Sequence, residues 1–313
     1  MAQMVGSKIL KTWFIINSYH DLVETQTTYL LMQAAKSKDY YVRFSDLTDA
    51  LSYRSKPYSS DFKTANEPTS AHKISDFDII FIRTNPGRDE KRIDAHRELL
   101  GIFNGPEAEG CRTINSHQAL VNFFDKSYLL ELPEVIPWSQ IIYNQEELNT
   151  CFEKLDKPFL IKPLIGSRGN DIYKVEDELP KGLNFEIPWI VQEFLHNAIM
   201  GDSRIFLVHG RRFTYKGHLV GVCRVPKPGS FLGNIHKGAT PQLIKLTDEI
   251  DATLSRIEDW LKTKDIAFTG VDICADRLME LNVYSPGGLH WFQKLIDDDR
   301  VANELIEALV NKP

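Results

Sequence analysis

The segment Phe268-Thr-Gly-Val-Asp-Ile-Cys-Ala-Asp-Arg-Leu-Met-Glu-Leu-Asn-Val-Tyr-Ser-Pro286 spaces Asp272, Glu280 and Asn282 as two β-strands space oxygen ligands for a hard divalent cation. Glu280 and Asn282 lie two apart in an alternating run, so on a strand both side chains leave the same face of the sheet. Asp272 joins that face of a hairpin only if the turn holds an odd number of residues, for instance a three-residue loop Cys274-Ala275-Asp276. The ligand reading therefore predicts the turn. Two carboxylates and one amide oxygen suit magnesium, which keeps several waters and shares its shell with substrate phosphates. The same spacing also fits an ordinary hairpin with a polar outer face.

Other residues suit a polyanion. A buried strand, Phe159 to Pro163, delivers Lys162 to the turn Gly166-Ser167-Arg168-Gly169, whose amides could cradle phosphate oxygens beside the lysine charge. This is not the Walker pattern, and a plain tight turn between strands fits as well. Ile190 to Leu195 reads as an edge strand able to hydrogen-bond an adenine ring, with Phe194 and Leu195 as apolar walls. Asp202 could accept from ribose hydroxyls, and Arg204, two residues on, shares its face and suits a phosphate; a solvent-facing pair is the other reading. The Gly-, Pro- and cation-rich loop from Val225 to Ala239 has the makings of a lid that excludes water, or of a passive surface loop. Arg83 and Asn85 sit at the carboxyl end of a predicted strand, where open α/β sheets place ligand-contacting loops, although a strand-ending turn would look the same.

The elements that must position these groups divide the chain. Residues 1–133 alternate in an α/β manner: strand Thr12–Asn17, helix His20–Lys36, strand Tyr40–Phe44, a polar loop or mobile insertion from Ser52 to Lys73, and a buried strand Asp78–Arg83. Helical patterns then cover Asp89–Phe103 and His117–Glu131. Residues 134–195 read as a small α+β unit, with helix Glu146–Leu155 and strands Pro158–Pro163, Ile172–Val175 and Trp189–Leu195. Residues 196–313 continue with strands Ser203–His209 and Phe213–Arg224, helix Thr247–Lys262, the Phe268–Tyr284 hairpin, and helical segments after Gly288.

With 313 residues and 42% hydrophobic content the chain can bury a substantial core. A formal charge of −6 and a pI near 5.9, without a long basic block, argue against nucleic acid or an anionic membrane as the main partner. Cys111, Cys151, Cys223 and Cys274 are scattered, so neither a zinc cage nor a disulfide framework is indicated, and a reducing cytoplasm fits. No export address and no membrane span is read in the sequence. A homodimer or homotetramer is the expectation for a soluble enzyme of this size.

Taken in order, the segments resemble the ATP-grasp ligases, and most closely bacterial-type glutathione synthetase. The resemblance is carried by Lys126, Lys162-Pro163, Gln192-Glu193-Phe194-Leu195, Asp202-Ser203-Arg204, Gly233-Asn234 and Asp272…Glu280-Leu281-Asn282, over nearly everything from Ile114 to Phe292. It implies an ATP-grasp fold, α/β and α+β, behind an N-terminal parallel α/β domain. It further implies ATP held by Lys126, Lys162, the Gly166–Gly169 turn, the Gln192–Leu195 hinge and Asp202. Asp272, Glu280 and Asn282 would hold magnesium, two ions, with Arg204 and Asn282 at the transferred phosphoryl group. Arg83, Asn85, Arg224, Asn234, Ser285, Pro286 and Gly287 would face a small amino-acid or peptide substrate. The implied reaction joins a carboxylate to an amine through an acyl phosphate; a ligase extending a peptide or protein tail, a kinase, or a nucleotide-binding regulator without turnover are the alternatives. Ser285-Pro286-Gly287-Gly288 departs from the family's Ser-Pro-Thr-Cys-like turn, and Gly87-Arg-Asp-Glu-Lys-Arg92 departs from its loop near the γ-glutamyl substrate.

Overall fold

The computed structural model describes residues 9–58, 68–167 and 169–311. β1 (Lys11–Ile16) is buried along nearly its whole length, as a parallel strand covered on both faces must be. It is followed by α1 (Thr27–Ser37), β2 (Tyr41–Asp46), α2 (Leu47–Leu51), β3 (Arg54–Pro57), β4 (Ser70–Ala71), β5 (Ile79–Ile82), α3 (Ile93–Ile102) and β6 (Arg112–Ile114). The sheet order is β4-β3-β2-β1-β5-β6, parallel from β2 to β6 and antiparallel at the β3 and β4 edge.

Two expectations fail here for local reasons. The polar stretch from Ser52 to Lys73 supplies the strands β3 and β4, because Arg43 on β2 reaches across and donates to Ser55 Oγ and Ser70 Oγ, each at 2.6 Å; residues 59–67 lie outside the described part. The helix expected from His20 starts only at Thr27, after a 3-10 turn Tyr19–Asp21. Val23 is 42% exposed, so residues 22–26 have no continuous apolar face to pack as a helix.

The linker also departs from expectation. α4 (His117–Asn122) ends early, and the chain re-enters as a 3-10 turn, Lys126–Glu131. The Asp125 carboxylate caps this turn by accepting from Ser127 N at 2.8 Å, while Lys126 N donates to Leu164 O at 3.1 Å. The break thus ties Lys126 to the next unit.

That unit contains β7 (Ser139–Ile142), α5 (Gln145–Lys154), β8 (Phe159–Pro163), β9 (Tyr173–Val175) and β10 (Trp189–Glu193), in the antiparallel order β7-β10-β8-β9. It has its own core, built on Ile142, Phe159, Ile161, Trp189 and Val191. β10 was expected to be an edge strand, but it pairs with β7 on one side and β8 on the other. Its pairing ends at Glu193, so only the backbone beyond, at Phe194 and Leu195, is clear of the sheet.

The remaining chain forms β11 (Asp202–Val208), β12 (Arg211–Arg212), β13 (Thr214–Tyr215), β14 (His218–Leu219), β15 (Gly221–Val225), β16 (Thr240–Gln242), α6 (Asp248–Leu261), β17 (Phe268–Cys274), β18 (Arg277–Asn282), α7 (Leu289–Ile296) and α8 (Val301–Val310). The main sheet runs β16-β15-β11-β17-β18. The single strand expected from Phe213 to Arg224 is broken by a β13–β14 hairpin, turning at Lys216 and Gly217 with φ of 48° and 80°. The last helix returns to the first unit: Arg112 donates to the carbonyls of Leu309 and Val310, at 2.5 and 2.6 Å, closing the C-terminus of α8. Buried residues of the first and last units pack in common clusters, Trp13 and Ile82 with Ile205 and Val271 in one, Phe14 and Phe81 with Phe206 and Leu305 in the other. Among the described residues no helix is long and apolar enough to cross a membrane.

Candidate active site

The acidic hairpin reaches its geometry by a route the sequence did not suggest. β17 and β18 are joined by a two-residue turn, Ala275-Asp276, with Ala275 at φ 53°, and not by an odd-numbered one. Cys274 faces Arg277 and Ile273 faces Leu278; a β-bulge then shifts the register so that Asp272 faces Glu280 and Gly270 faces Asn282. Met279 is the extra residue. One bulge changes the parity of the pairing, which is what the odd turn was needed for.

Register extends the cluster across four adjacent strands. Asp202 lies opposite Arg224, and Arg204 opposite Asp272, so Arg224, Asp202, Arg204, Asp272, Glu280 and Asn282 share one face of the sheet. Arg204 grips Asp272 with two parallel bonds, Nε to Oδ1 at 2.7 Å and a terminal nitrogen to Oδ2 at 2.6 Å. Arg224 adds a bond to Asp272 Oδ2 at 2.9 Å and pairs with Asp202 through Nε at 3.0 Å. Burial alone would raise the Asp272 carboxyl, but Arg204 and Arg224 outweigh it and hold its pKa at about 2. Burial likewise raises Asp202, against the opposing charge of Arg224.

Across the cleft stand the two lysines. Lys162 Nζ donates to Gln192 Oε1 at 2.9 Å, and Lys126 Nζ donates to Gly166 O at 2.9 Å while lying 3.7 Å from Glu280 Oε1. Burial pulls the Lys162 pKa down to about 8, Lys126 adds to the shift, and Glu280 and Asp272 oppose it. Six cations, Arg83, Arg88, Lys126, Lys162, Arg204 and Arg224, and four carboxylates, Asp21, Asp202, Asp272 and Glu280, thus line a cavity of about 570 Å³. An excess of positive charge in a partly enclosed site selects a polyanion.

The loop between β15 and β16 closes over this cavity. Lys237 Nζ donates to Gly169 O at 2.8 Å, joining the loop to the glycine turn. Gly233 passes so close to the sheet that a Cβ there would stand 2.1 Å from Asp202 Oδ1, so the approach needs glycine. Phe231 packs edge-on against Phe194, ring centroids 5.5 Å apart, which gives the hinge end of the cavity an apolar wall with Leu160 and Ile172. Ser167 Oγ donates to Gly87 O at 2.9 Å, fixing the glycine turn against the loop that follows β5.

Of the residues proposed from sequence, Arg83, Asn85, Lys126, Lys162, Gly166, Ser167, Gly169, Phe194 and Leu195 line the cavity. So do Asp202, Arg204, Arg224, Asn234, Asp272, Glu280, Asn282, Ser285, Pro286 and Gly287. Gln192 and Glu193 do not: the Gln192 side chain is fully buried between Lys162 and Ser139, and the exposed Glu193 accepts from Trp138 N at 3.3 Å. Arg168 lies outside the described residues.

Sequence reasoning missed Tyr128. Its buried hydroxyl donates to Leu281 O at 2.9 Å and accepts from Leu281 N at 3.0 Å, holding the peptide between Glu280 and Asn282 along the free edge of β18. Position two after Lys126 was the available signal, but nothing local says what a tyrosine there touches. The donor set fits magnesium. Asp272, Glu280 and Asn282 offer two carboxylates and an amide oxygen on one sheet face, the hard oxygen donors that magnesium takes. Asp272 Oδ1 accepts only one of the bonds described, so an ionised carboxylate oxygen there retains a lone pair for a cation.

Comparison with known proteins bears on the family and the fold. The glutathione synthetase of Synechococcus elongatus is 25% identical, aligned over 97% of this chain and 100% of that one. The macrocyclase MdnB of Microcystis aeruginosa has a similar structure, with a TM-score of 0.64 at 12% identity over 97% of this chain and 100% of that one. The ATP-grasp ligase PsnB, solved with a precursor variant, Mg and ADP, gives a TM-score of 0.59 at 16% identity over 97% and 99%. Residues 125–297, more than half the chain, match the model of the prokaryotic glutathione synthetase ATP-grasp domain, and the chain belongs to that family.

Proposed function

We propose that this ATP-dependent, ADP-forming carboxylate–amine ligase joins a small amino acid or peptide to an amine, in the manner of glutathione formation, at the sheet face between Arg224 and Asn282. The observation that carries the proposal is the register just described, which gathers two arginines, three carboxylates and an amide across four strands, opposite two lysines. Lys126 and Lys162 would neutralise the nucleotide phosphates, the backbone at Phe194 and Leu195 would hold adenine, and Asp202 would meet the ribose. Asp272, Glu280 and Asn282 would hold magnesium as two ions, which supply charge neutralisation at the β- and γ-phosphate oxygens.

A substrate carboxylate oxygen attacks the γ-phosphorus as the bond to the ADP oxygen breaks. The amine nitrogen then attacks the acyl carbon, phosphate leaves with the former carboxylate oxygen, and the amine proton departs with it or to water. Arg204, whose stem packs over Gly270, would offset charge on the transferred group. The loop around Gly233 and Lys237 keeps water from the acyl phosphate. No protein nucleophile is needed, so the chemistry rests on orientation and fixed charge.

The test is ADP release with magnesium, scanned over amino acids and γ-glutamyl dipeptides. A substrate pair that yields ADP and amide in equal amounts supports the reading, and Glu280→Gln should abolish that turnover with little change in folding stability. ADP formation without amide, or full activity in Glu280→Gln, would overturn it.

A further inference from the structure

Gln192 carries a polar side chain into the middle of the central sheet, yet it does not reach the cavity. It is fully buried, and so are its apolar strand neighbours Ile190 and Val191. Were burial the only demand at this position, an apolar residue would meet it without the cost of desolvating an amide. The pairing of three strands shows what the amide meets. Gln192 lies directly opposite Ser139 on β7 and opposite Leu160 on β8; two residues on from Leu160, Lys162 leaves the same face, diagonal to Gln192 and within reach of a long side chain. Ser139, Gln192 and Lys162 thus stand side by side.

The bonds between them run in one direction. An ammonium only donates, so Lys162 Nζ gives a proton to Gln192 Oε1 at 2.9 Å. That leaves Gln192 Nε2 to donate to Ser139 Oγ at 2.9 Å, and the Ser139 hydroxyl donates in turn to Pro137 O at 2.8 Å. Turning the amide round would set its NH2 against the ammonium. The anchor is fixed as well. The strap that carries Pro137 and Ser139 is bound to β18 through Val135 O, which accepts from Leu278 N at 2.7 Å, and to β10 through Trp138 O, which accepts from Glu193 N at 2.9 Å. One of the three ammonium protons is therefore committed behind the lysine, and two are left for the cavity it lines.

We propose that Gln192 is a positioning residue for the ligase reaction: through the relay of Pro137, Ser139 and Gln192 it holds the Lys162 ammonium toward the nucleotide phosphates without touching the nucleotide itself. A neutral amide suits this task. A carboxylate behind Lys162 would fix the lysine equally well but cancel the charge that a phosphate meets, whereas the amide accepts the bond and leaves the charge whole. Because the strap is also bound to β18, the strand of Glu280 and Asn282, the lysine takes its position from the segment that holds the proposed magnesium ligands. The proposal rests on the reading that places Lys162 at the phosphates, and a double-mutant cycle separates the failure of one from the failure of the other.

The cycle is run on the whole protein, with ATP binding in the presence of magnesium measured by titration calorimetry. Gln192→Met keeps the length and removes the acceptor, so ATP should bind about tenfold more weakly, the scale of one hydrogen bond to a charged group. In the Lys162→Met background the same change should alter binding less than about twofold, because the residue through which Gln192 acts is gone. A packing defect would carry its loss into both backgrounds. Equal losses in the two, or no loss with Lys162 present, overturn the relay and leave Lys162 at the phosphates. If Lys162→Met itself binds ATP as the parent does, the reading of that lysine fails and the relay fails with it. Gln192→Glu keeps the shape and the acceptor but cancels the charge, so it too should weaken ATP; parent-like affinity would contradict the role given to the neutral amide. If Gln192→Met does not fold, Ser139→Ala takes its place in the cycle. It removes only the support of the amide, and should weaken ATP about threefold with Lys162 present and not without it. An equal effect in both backgrounds, or none in either, again rules the relay out.

Discussion

Replacing Tyr128 with phenylalanine removes one oxygen and two hydrogen bonds. The hydroxyl is the partner of both Leu281 N, at 3.0 Å, and Leu281 O, at 2.9 Å, on the free edge of β18. Each buried backbone group left unsatisfied costs roughly 1 to 2 kcal/mol, so Tyr128→Phe should destabilise the fold by about 2–4 kcal/mol. Tyr284→Phe is the internal control: its hydroxyl donates once, to Leu120 O at 2.6 Å, and its loss should cost about 1 kcal/mol. The functional consequence differs in kind. Leu281 sits between Glu280 and Asn282, so a loosened edge misplaces both proposed ligands. If about 1 kcal/mol of the loss reaches the ligand geometry, half-saturating magnesium rises about fivefold in Tyr128→Phe and not in Tyr284→Phe. Urea unfolding gives the stability difference at constant m, and magnesium titration of ADP formation gives the second quantity. Equal stability losses in the two variants, or unchanged magnesium dependence in Tyr128→Phe, would refute the reasoning.

Three further outcomes are expected. Burial holds Lys162 near pKa 8, so kcat/KM for ATP should fall as pH rises through about 8, and Lys162→Arg should remove that inflection; a flat profile in the parent would contradict the assignment. His72 lies buried against Trp13 and Phe77, and burial lowers its pKa. The unfolded chain binds its proton near pH 6.5 and the folded chain resists, so stability should drop as pH falls below about 6.5, less steeply in His72→Phe; identical urea midpoints across that range in both proteins would exclude the effect. Gly233→Ala places a carbon within 2.1 Å of Asp202 Oδ1, so the lid must stand off: KM for ATP should rise and protease cleavage within residues 225–239 should quicken, while an unaltered cleavage rate would show that the lid never closes there.

Much of the site was legible because strand alternation and the order of motifs depend on local chain chemistry. Glu280 and Asn282 face one way for the same reason any residues two apart on a strand do, and Asp202 and Arg204 likewise. The parallel α/β character of the first unit followed from its alternation, whereas the ATP-grasp fold was implied by the order of motifs that carries the family resemblance. What stayed hidden depends on contacts remote in sequence. The bulge at Met279 answers to the packing of β18, and the odd-numbered turn inferred in its place was a parity argument with the wrong device. β10 looked like an edge because its sequence cannot announce that β7 pairs with it. The linker breaks at Phe123–Asp125 because Lys126 N finds Leu164 O, a partner 38 residues away in sequence.

The central claim is that the γ-phosphoryl group passes to a carboxylate that is then captured by an amine. With the substrate carboxylate labelled with heavy oxygen, the account predicts that each amide formed releases one phosphate carrying one labelled atom, and that Glu280→Gln releases none. Amide formed alongside unlabelled phosphate would contradict it, because no acyl phosphate could then lie on the path.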